Sequence, residues 1–104
     1  MSRIAYVNGR YVALRDARVN IEDRGYQFSD GVYEVCEIRR GRIVDFPRHI
    51  ARLKRSLGEL RIAMPMTEQG LLIVMREVLR QNRVRDGFVY VQVMRVSVVS
   101  GSEN

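Results

Sequence analysis

Few side chains in this sequence belong to types that do chemistry, and their scarcity narrows what it can catalyse. There is one histidine, His49, one cysteine, Cys36, and no tryptophan; of the 18 basic residues only Lys54 is a lysine. A nucleophilic triad needs a histidine held between a nucleophile and an acid, and the residues around His49 supply no such pattern. His49 reads as a solvated or capping residue on a helix. Cys36 lies in a β-rich stretch and reads as a small core side chain. A lone cysteine excludes an internal disulfide, and one cysteine with one histidine does not make a zinc site. Glu34 and Glu37 are an odd number of residues apart, so in a strand they point to opposite faces and cannot work as an acid–base pair. The arginines are the richer feature. Arg48, Arg52 and Arg55 stand at helical spacing, and a guanidinium can bind phosphate through two parallel hydrogen bonds. That cluster fits either a solvated helix face or a phosphate contact, and spacing alone leaves both open.

The elements that carry these residues follow from periodicity and turn chemistry. Asn8-Gly9 between Ile4, Tyr6 and Tyr11, Val12 predicts a hairpin over residues 3–12, because both turn positions accept positive φ. Residues 13–30 form a turn-rich loop; Tyr26 and Phe28 within it imply that it packs on something, as functional loops do. Residues 32–38 predict a strand with Val32, Glu34, Cys36 and Ile38 on one face and Tyr33, Val35 and Glu37 on the other. Both faces are mixed. Arg39 to Arg42 is a turn, and Ile43-Val44 begins a partner strand. A helix over 47–60 has Asp45 as its cap, Pro47 in its first turn and an apolar stripe of Ile50, Leu53, Leu57 and Leu60. A second helix over 67–81 has Thr67 as its cap and Leu71, Leu72, Val74, Met75, Val78 and Leu79 on its apolar face. Residues 88–96 predict a last strand, whose β-branched density implies a buried, central place. Helices grouped between strands give an α+β fold, an antiparallel sheet with two helices packed on one face.

Composition sets the outer limits. A chain of 104 residues is one domain, and 46% apolar with 29% charged residues is ordinary for a globular protein. No apolar run approaches the ~20 residues of a membrane helix, and the first residues lack a signal peptide's apolar stretch. The expected location is cytoplasmic. The net charge of +6 makes the surface basic, but the arginines are dispersed and no nucleic-acid module is present, so neither nucleic acid nor membrane is an expected partner.

The stretch Ile21-Glu22-Asp23-Arg24-Gly25-Tyr26-Gln27-Phe28-Ser29-Asp30-Gly31-Val32-Tyr33-Glu34-Val35 resembles the signature of the fold-type IV pyridoxal-phosphate enzymes, the D-amino-acid aminotransferases, branched-chain aminotransferases and aminodeoxychorismate lyases. Three shorter stretches agree in order and spacing. Tyr6-Val7-Asn8-Gly9 resembles the family's opening hairpin. His49-Ile50-Ala51-Arg52-Leu53 resembles its HxxRL helix. Phe88-Val89-Tyr90-Val91-Gln92-Val93-Met94-Arg95 resembles the strand that normally reads YxQVTRG. The combination is most similar to the D-amino-acid aminotransferase branch.

The resemblance implies roles that spacing could not assign. Arg52 takes the place of the arginine that binds the cofactor phosphate. Tyr33 takes the place of the tyrosine that contacts the substrate carboxylate, and Val35, on the same face, becomes a wall of the substrate pocket. The intact family moves an amino group between a D-amino acid and a 2-oxo acid, as a homodimer with pyridoxal phosphate. The match stops after Arg95: residues 97–104 hold neither the arginine nor the histidine that grip the substrate carboxylate in D-specific members. Residues 1–96 are therefore expected to be the family's small N-terminal domain and 97–104 a divergent tail, with the catalytic domain and its Schiff-base lysine missing. Lys54 stands about 200° around the helix from Arg52, so the two cannot face one pocket. A truncated, inactive aminotransferase is the expectation; a branched-chain aminotransferase or aminodeoxychorismate lyase half, or a stand-alone interaction domain, is the alternative.

Overall fold

The computed structural model describes residues 3–16 and 31–94. Strands β1 (Ile4–Val7) and β2 (Arg10–Ala13) form a two-stranded antiparallel hairpin. Asn8 and Gly9 between them both have positive φ, 49° and 90°, as a turn matched to strand twist requires. A 3₁₀ turn at Leu14–Asp16 follows. Strand β3 (Gly31–Arg39) then pairs with β4 (Arg42–Ile43) across a second tight turn, where Arg40 and Gly41 again take positive φ. Helices α1 (Phe46–Glu59) and α2 (Glu68–Gln81) lead to β5 (Gly87–Met94). β5 pairs with β3 along its whole length, and the three-stranded sheet runs β4-β3-β5. At the start of β3, Gly31 lets β5 come close: a Cβ there would meet the Val93 carbonyl oxygen at 2.9 Å.

The α+β fold class holds, with both helices on one face of the antiparallel β4-β3-β5 sheet. Ile50, Leu53 and Leu57 of α1 and Leu71, Met75 and Leu79 of α2 close on Cys36 and Ile38 of β3 and Val89 of β5. These are i, i+3 and i+7 positions on α1, i, i+4 and i+8 positions on α2, and alternate positions on β3, which is how amphipathic elements meet. Cys36 is the buried core thiol expected of it, and burial pushes its pKa up to about 11. Leu60 leaves the stripe and is exposed, because α1 ends at Glu59.

Two local expectations need correction. Asp45 precedes α1 in the left-handed region, φ 56°, and its side chain makes no cap bond; its backbone carbonyl accepts from the Arg48 and His49 amides instead. Thr67 does cap α2, its hydroxyl accepting from the Gly70 amide. The second correction concerns β5. Among the described residues the central strand is β3, and β5 is an edge. The valines of β5 crowd one face only: Val89, Val91 and Val93 pack toward the core, while Phe88 and Tyr90 lie on the open side.

Among the described residues, the side chain of Asn82 hydrogen-bonds the hairpin to α2. Asn82, at the end of α2, accepts from the Ile4 amide at 2.8 Å and donates to the Ile4 carbonyl at 2.9 Å and the Val78 carbonyl at 2.7 Å. It thus extends the strand's hydrogen bonding into the helix terminus, where carbonyls would otherwise lack partners. Most of the expected loop, residues 17–30, and everything after Met94, including the expected tail 97–104, lie outside the described residues. Among those described, no helix is long and apolar enough to cross a membrane.

Burial decides which apolar substitutions cost stability. Leu57 is 1% exposed and Ile73 is 64% exposed. Leu57→Ala should lower the unfolding free energy by about 2–5 kcal/mol, and Ile73→Ala by less than about 0.5 kcal/mol, as read from urea denaturation.

Candidate functional site

β3 places an acid where its neighbours are apolar. Glu34 shares the helix-facing side with Cys36 and Ile38 and is 7% exposed. A carboxylate cannot be taken out of water unpaired without a cost of several kcal/mol, and α1 supplies the partners. His49 and Arg52 stand three residues apart on α1, so both reach the same point on the sheet. Arg52 Nε donates to Glu34 Oε2 at 2.8 Å and Arg52 Nη2 donates to Oε1 at 2.8 Å, a two-point guanidinium–carboxylate pair. His49 Nδ1 lies 2.8 Å from the same Oε1.

The chemistry of the acid settles the imidazole. An ionised carboxylate only accepts, so His49 carries a proton on Nδ1 and donates it. The 3.5 Å approach of Arg52 Nη2 to His49 Nδ1 is then two donors sharing one oxygen. The Arg52 hydrogen bonds hold the Glu34 carboxyl below the usual carboxylate range; burial opposes them, and the His49 hydrogen bond adds to the lowering. The pairing raises the Arg52 pKa in turn.

Arg52 is anchored without being consumed. Its side chain is 58% exposed, and the pair with Glu34 occupies Nε and one N–H of Nη2. Nη1 has no hydrogen-bond partner among the described residues. Arg48 and Arg55 are exposed and make no ion pair among the described residues. Of the three helix arginines, Arg52 alone is held by an ion pair among the described residues.

Tyr33 and Val35 lie on the other side of β3. That open face carries Tyr33, 62% exposed, and Phe88, 71% exposed, with Val35 and Tyr90 also exposed. The Tyr33 and Tyr90 rings stack with centroids 5.6 Å apart and planes 13° apart, a cross-strand aromatic pair. The structure therefore does not gather Arg52, Tyr33 and Val35 into one cavity. Among the described residues, what lies between them is an unpaired edge of β3. The Glu37 carbonyl accepts from the Val44 amide, so the β4 side of β3 is the side to which Glu37 turns its backbone groups. By the two-residue period, Tyr33 and Val35 turn theirs the same way, beyond the reach of β4, which pairs only at Ile38 and Arg39.

Lys54 is committed elsewhere. Its Nζ donates to Glu68 Oε2 at 2.6 Å, joining α1 to the first turn of α2. Glu34 and His49 are the residues that sequence reasoning missed. The signal was present: an acid on a strand face otherwise made of Val32, Cys36 and Ile38 demands a buried cation.

Comparison with known proteins places this arrangement. The family model for amino-transferase class IV matches residues 31–103. The D-alanine aminotransferase of Bacillus licheniformis is 44% identical over 88 residues, which are 85% of this chain and 31% of that protein. The fold matches the branched-chain amino acid aminotransferase from Escherichia coli with a TM-score of 0.85 at 19% identity, covering 97% of this chain and 36% of that one. It also matches the putative 4-amino-4-deoxychorismate lyase from Legionella pneumophila, with a TM-score of 0.74 at 14% identity, covering 86% of this chain and 34% of that one. The chain belongs to the class IV aminotransferases, and its fold is that of their N-terminal domain. It spans about a third of the length of the curated relatives it matches. The Ile21–Asp30 part of the resemblance lies outside the described residues.

The pairing predicts an acid limb of stability. A carboxyl whose folded pKa is depressed stabilises fully above its ordinary value of 4.5 and loses that contribution as pH falls through the lowered value. Glu77, drawn down to about 2 by its hydrogen bonds to Arg80 and Gln81, behaves the same way. Stability measured by urea denaturation should fall as pH drops from about 4.5 toward 2. The Glu34→Gln protein should show a shallower decline over that window.

Proposed function

We propose that this chain is the N-terminal domain of a D-amino-acid aminotransferase-type enzyme, with Arg52 as its contact for the phosphate of pyridoxal phosphate and Tyr33 and Val35 on the substrate side. The observation that carries this reading is Arg52, its guanidinium anchored on Glu34 while its side chain stays more than half exposed. The identity to a D-alanine aminotransferase favours the D-amino-acid branch over the branched-chain enzymes, whose likeness at lower identity is one of fold.

The residues present fit the phosphate end of the cofactor. Arg52 offers donors of fixed direction and a permanent positive charge, which suit a phosphate dianion. The Tyr33 phenol can donate a hydrogen bond to a carboxylate, while Val35 gives an apolar wall next to it. A phosphate on the Arg52 side and a carboxylate on the Tyr33 side would straddle the edge of β3 that β4 leaves uncovered. Pyridoxal phosphate, when bound, supplies the electron sink for amino transfer. The step also needs an amine base, and the chain's one lysine, Lys54, stands about 200° around α1 from Arg52. The 104-residue chain by itself should therefore bind the cofactor's phosphate but not turn over.

The open sheet face supports a further part of the reading. Phe88 and Tyr90, on the same face beyond the two residues assigned to the substrate, expose apolar surface of the kind that marks an interaction site, and we propose a second copy of the chain as its partner in a soluble, cytoplasmic homo-oligomer.

Two measurements check these statements. Incubation with pyridoxal phosphate, D-alanine and 2-oxoglutarate should yield no pyruvate above the protein-free reaction; steady pyruvate formation would refute the inactive reading. Sedimentation velocity should show a species heavier than the monomer, and the double variant Phe88→Ser with Tyr90→Ser should sediment as a monomer.

A further inference from the structure

We propose that Glu34 is the positioning residue for Arg52, setting the plane in which the guanidinium meets an oxyanion. The inference rests on the reading of Arg52 as the phosphate contact and adds a residue to it. An arginine on a helix surface has a long, flexible side chain, and a phosphate that binds it must first immobilise it. Here the immobilisation is already made. The Glu34 carboxylate is fixed on the central strand, buried beneath α1, and accepts Arg52 Nε and Nη2 at 2.8 Å each. Two parallel hydrogen bonds define a plane, and the remaining donors, Nη1 and the second hydrogen of Nη2, point away from the carboxylate by the geometry of the guanidinium fork. His49 holds the acid in turn: its Nδ1–H donates to Oε1 at 2.8 Å, so the carboxylate cannot pivot without breaking a third bond.

Glu34 is an anion beside a site that takes an anion. On charge alone, removing it should tighten phosphate binding. If its work is to orient Arg52, removing it should weaken binding. Glutamine keeps the shape of the side chain but offers one acceptor oxygen and an NH₂ group that faces the guanidinium donors. Aspartate keeps the charge but is one methylene too short to hold the pair.

The test uses the full chain, with pyridoxine 5'-phosphate and inorganic phosphate as probes, since neither condenses with amines. Dissociation constants come from ¹H–¹⁵N titrations that follow the Arg52 Nε–H signal and the backbone amides together. The wild-type chain should bind both probes and show a sharp, exchange-protected Arg52 Nε–H signal. In E34Q the dissociation constant should rise roughly tenfold, the loss of about one charge-assisted hydrogen bond. The Nε–H protection should vanish while the backbone amides stay in place, a combination that a purely structural role would not produce. Unchanged or tighter binding in E34Q overturns the positioning role. Should E34Q fail to fold, E34D decides: weaker binding with the charge retained supports the proposal, and wild-type affinity overturns it. R52Q separates the two layers. If R52Q binds as well as wild type, or wild type does not bind at all, the phosphate reading itself fails; if R52Q loses binding and the Glu34 variants do not, only the positioning role falls.

Discussion

A carboxylate buried between a sheet and a helix has to be paired, and that requirement at Glu34 organises the helix-covered side of this sheet. Three apolar side chains would have filled the helix-facing side of β3 without difficulty. An acid among them forces α1 into one rotation and one height over the strand, because only then do His49 and Arg52 both reach Glu34. Replacing a buried ion pair by apolar residues is often neutral or stabilising, so the pair is poorly explained as a source of stability. Its evident product is an arginine held rigid while more than half of its side chain stays in solvent.

The remaining contacts serve that placement. Ile50, Leu53 and Leu57 seat α1 on Cys36 and Ile38. Lys54 and Glu68 tie α1 to α2, and Asn82 ties α2 to the first hairpin. The opposite face of the sheet is built differently: aromatic side chains stack on one another and no described element covers them. The two faces of one strand thus differ in character, a charge-anchored helix side and an apolar open side, joined at an edge that β4 leaves uncovered.

The fold was largely legible because its signals are local. Asn8-Gly9 fixes a hairpin through backbone conformation, and the spacing of Ile50, Leu53 and Leu57 fixes a helix through its apolar stripe. The cap of α2 at Thr67 follows from one hydroxyl. Properties that depend on partners far along the chain were not legible in the same way. The density of valine in β5 suits a central strand, but strand order is set by which edges meet. Asp45 has a capping side chain, yet the tight passage from β4 into α1 puts it in the left-handed region, where its backbone carbonyl does the capping. His49 looked like a solvated helix residue because Glu34 is fifteen residues away in sequence. Arg52 stood out through resemblance to a family motif; the reason it is anchored lay in Glu34, which periodicity had placed on the correct face without naming its partner.

Whether Arg52, held by Glu34, receives the phosphate can be read from a crystal structure of the chain grown with pyridoxine 5'-phosphate. A phosphate group is expected within hydrogen-bond distance of Arg52 Nη1, with Nε and Nη2 still on the Glu34 carboxylate. A phosphate bound elsewhere, or an Arg52 that has left Glu34 to reach it, would overturn that role.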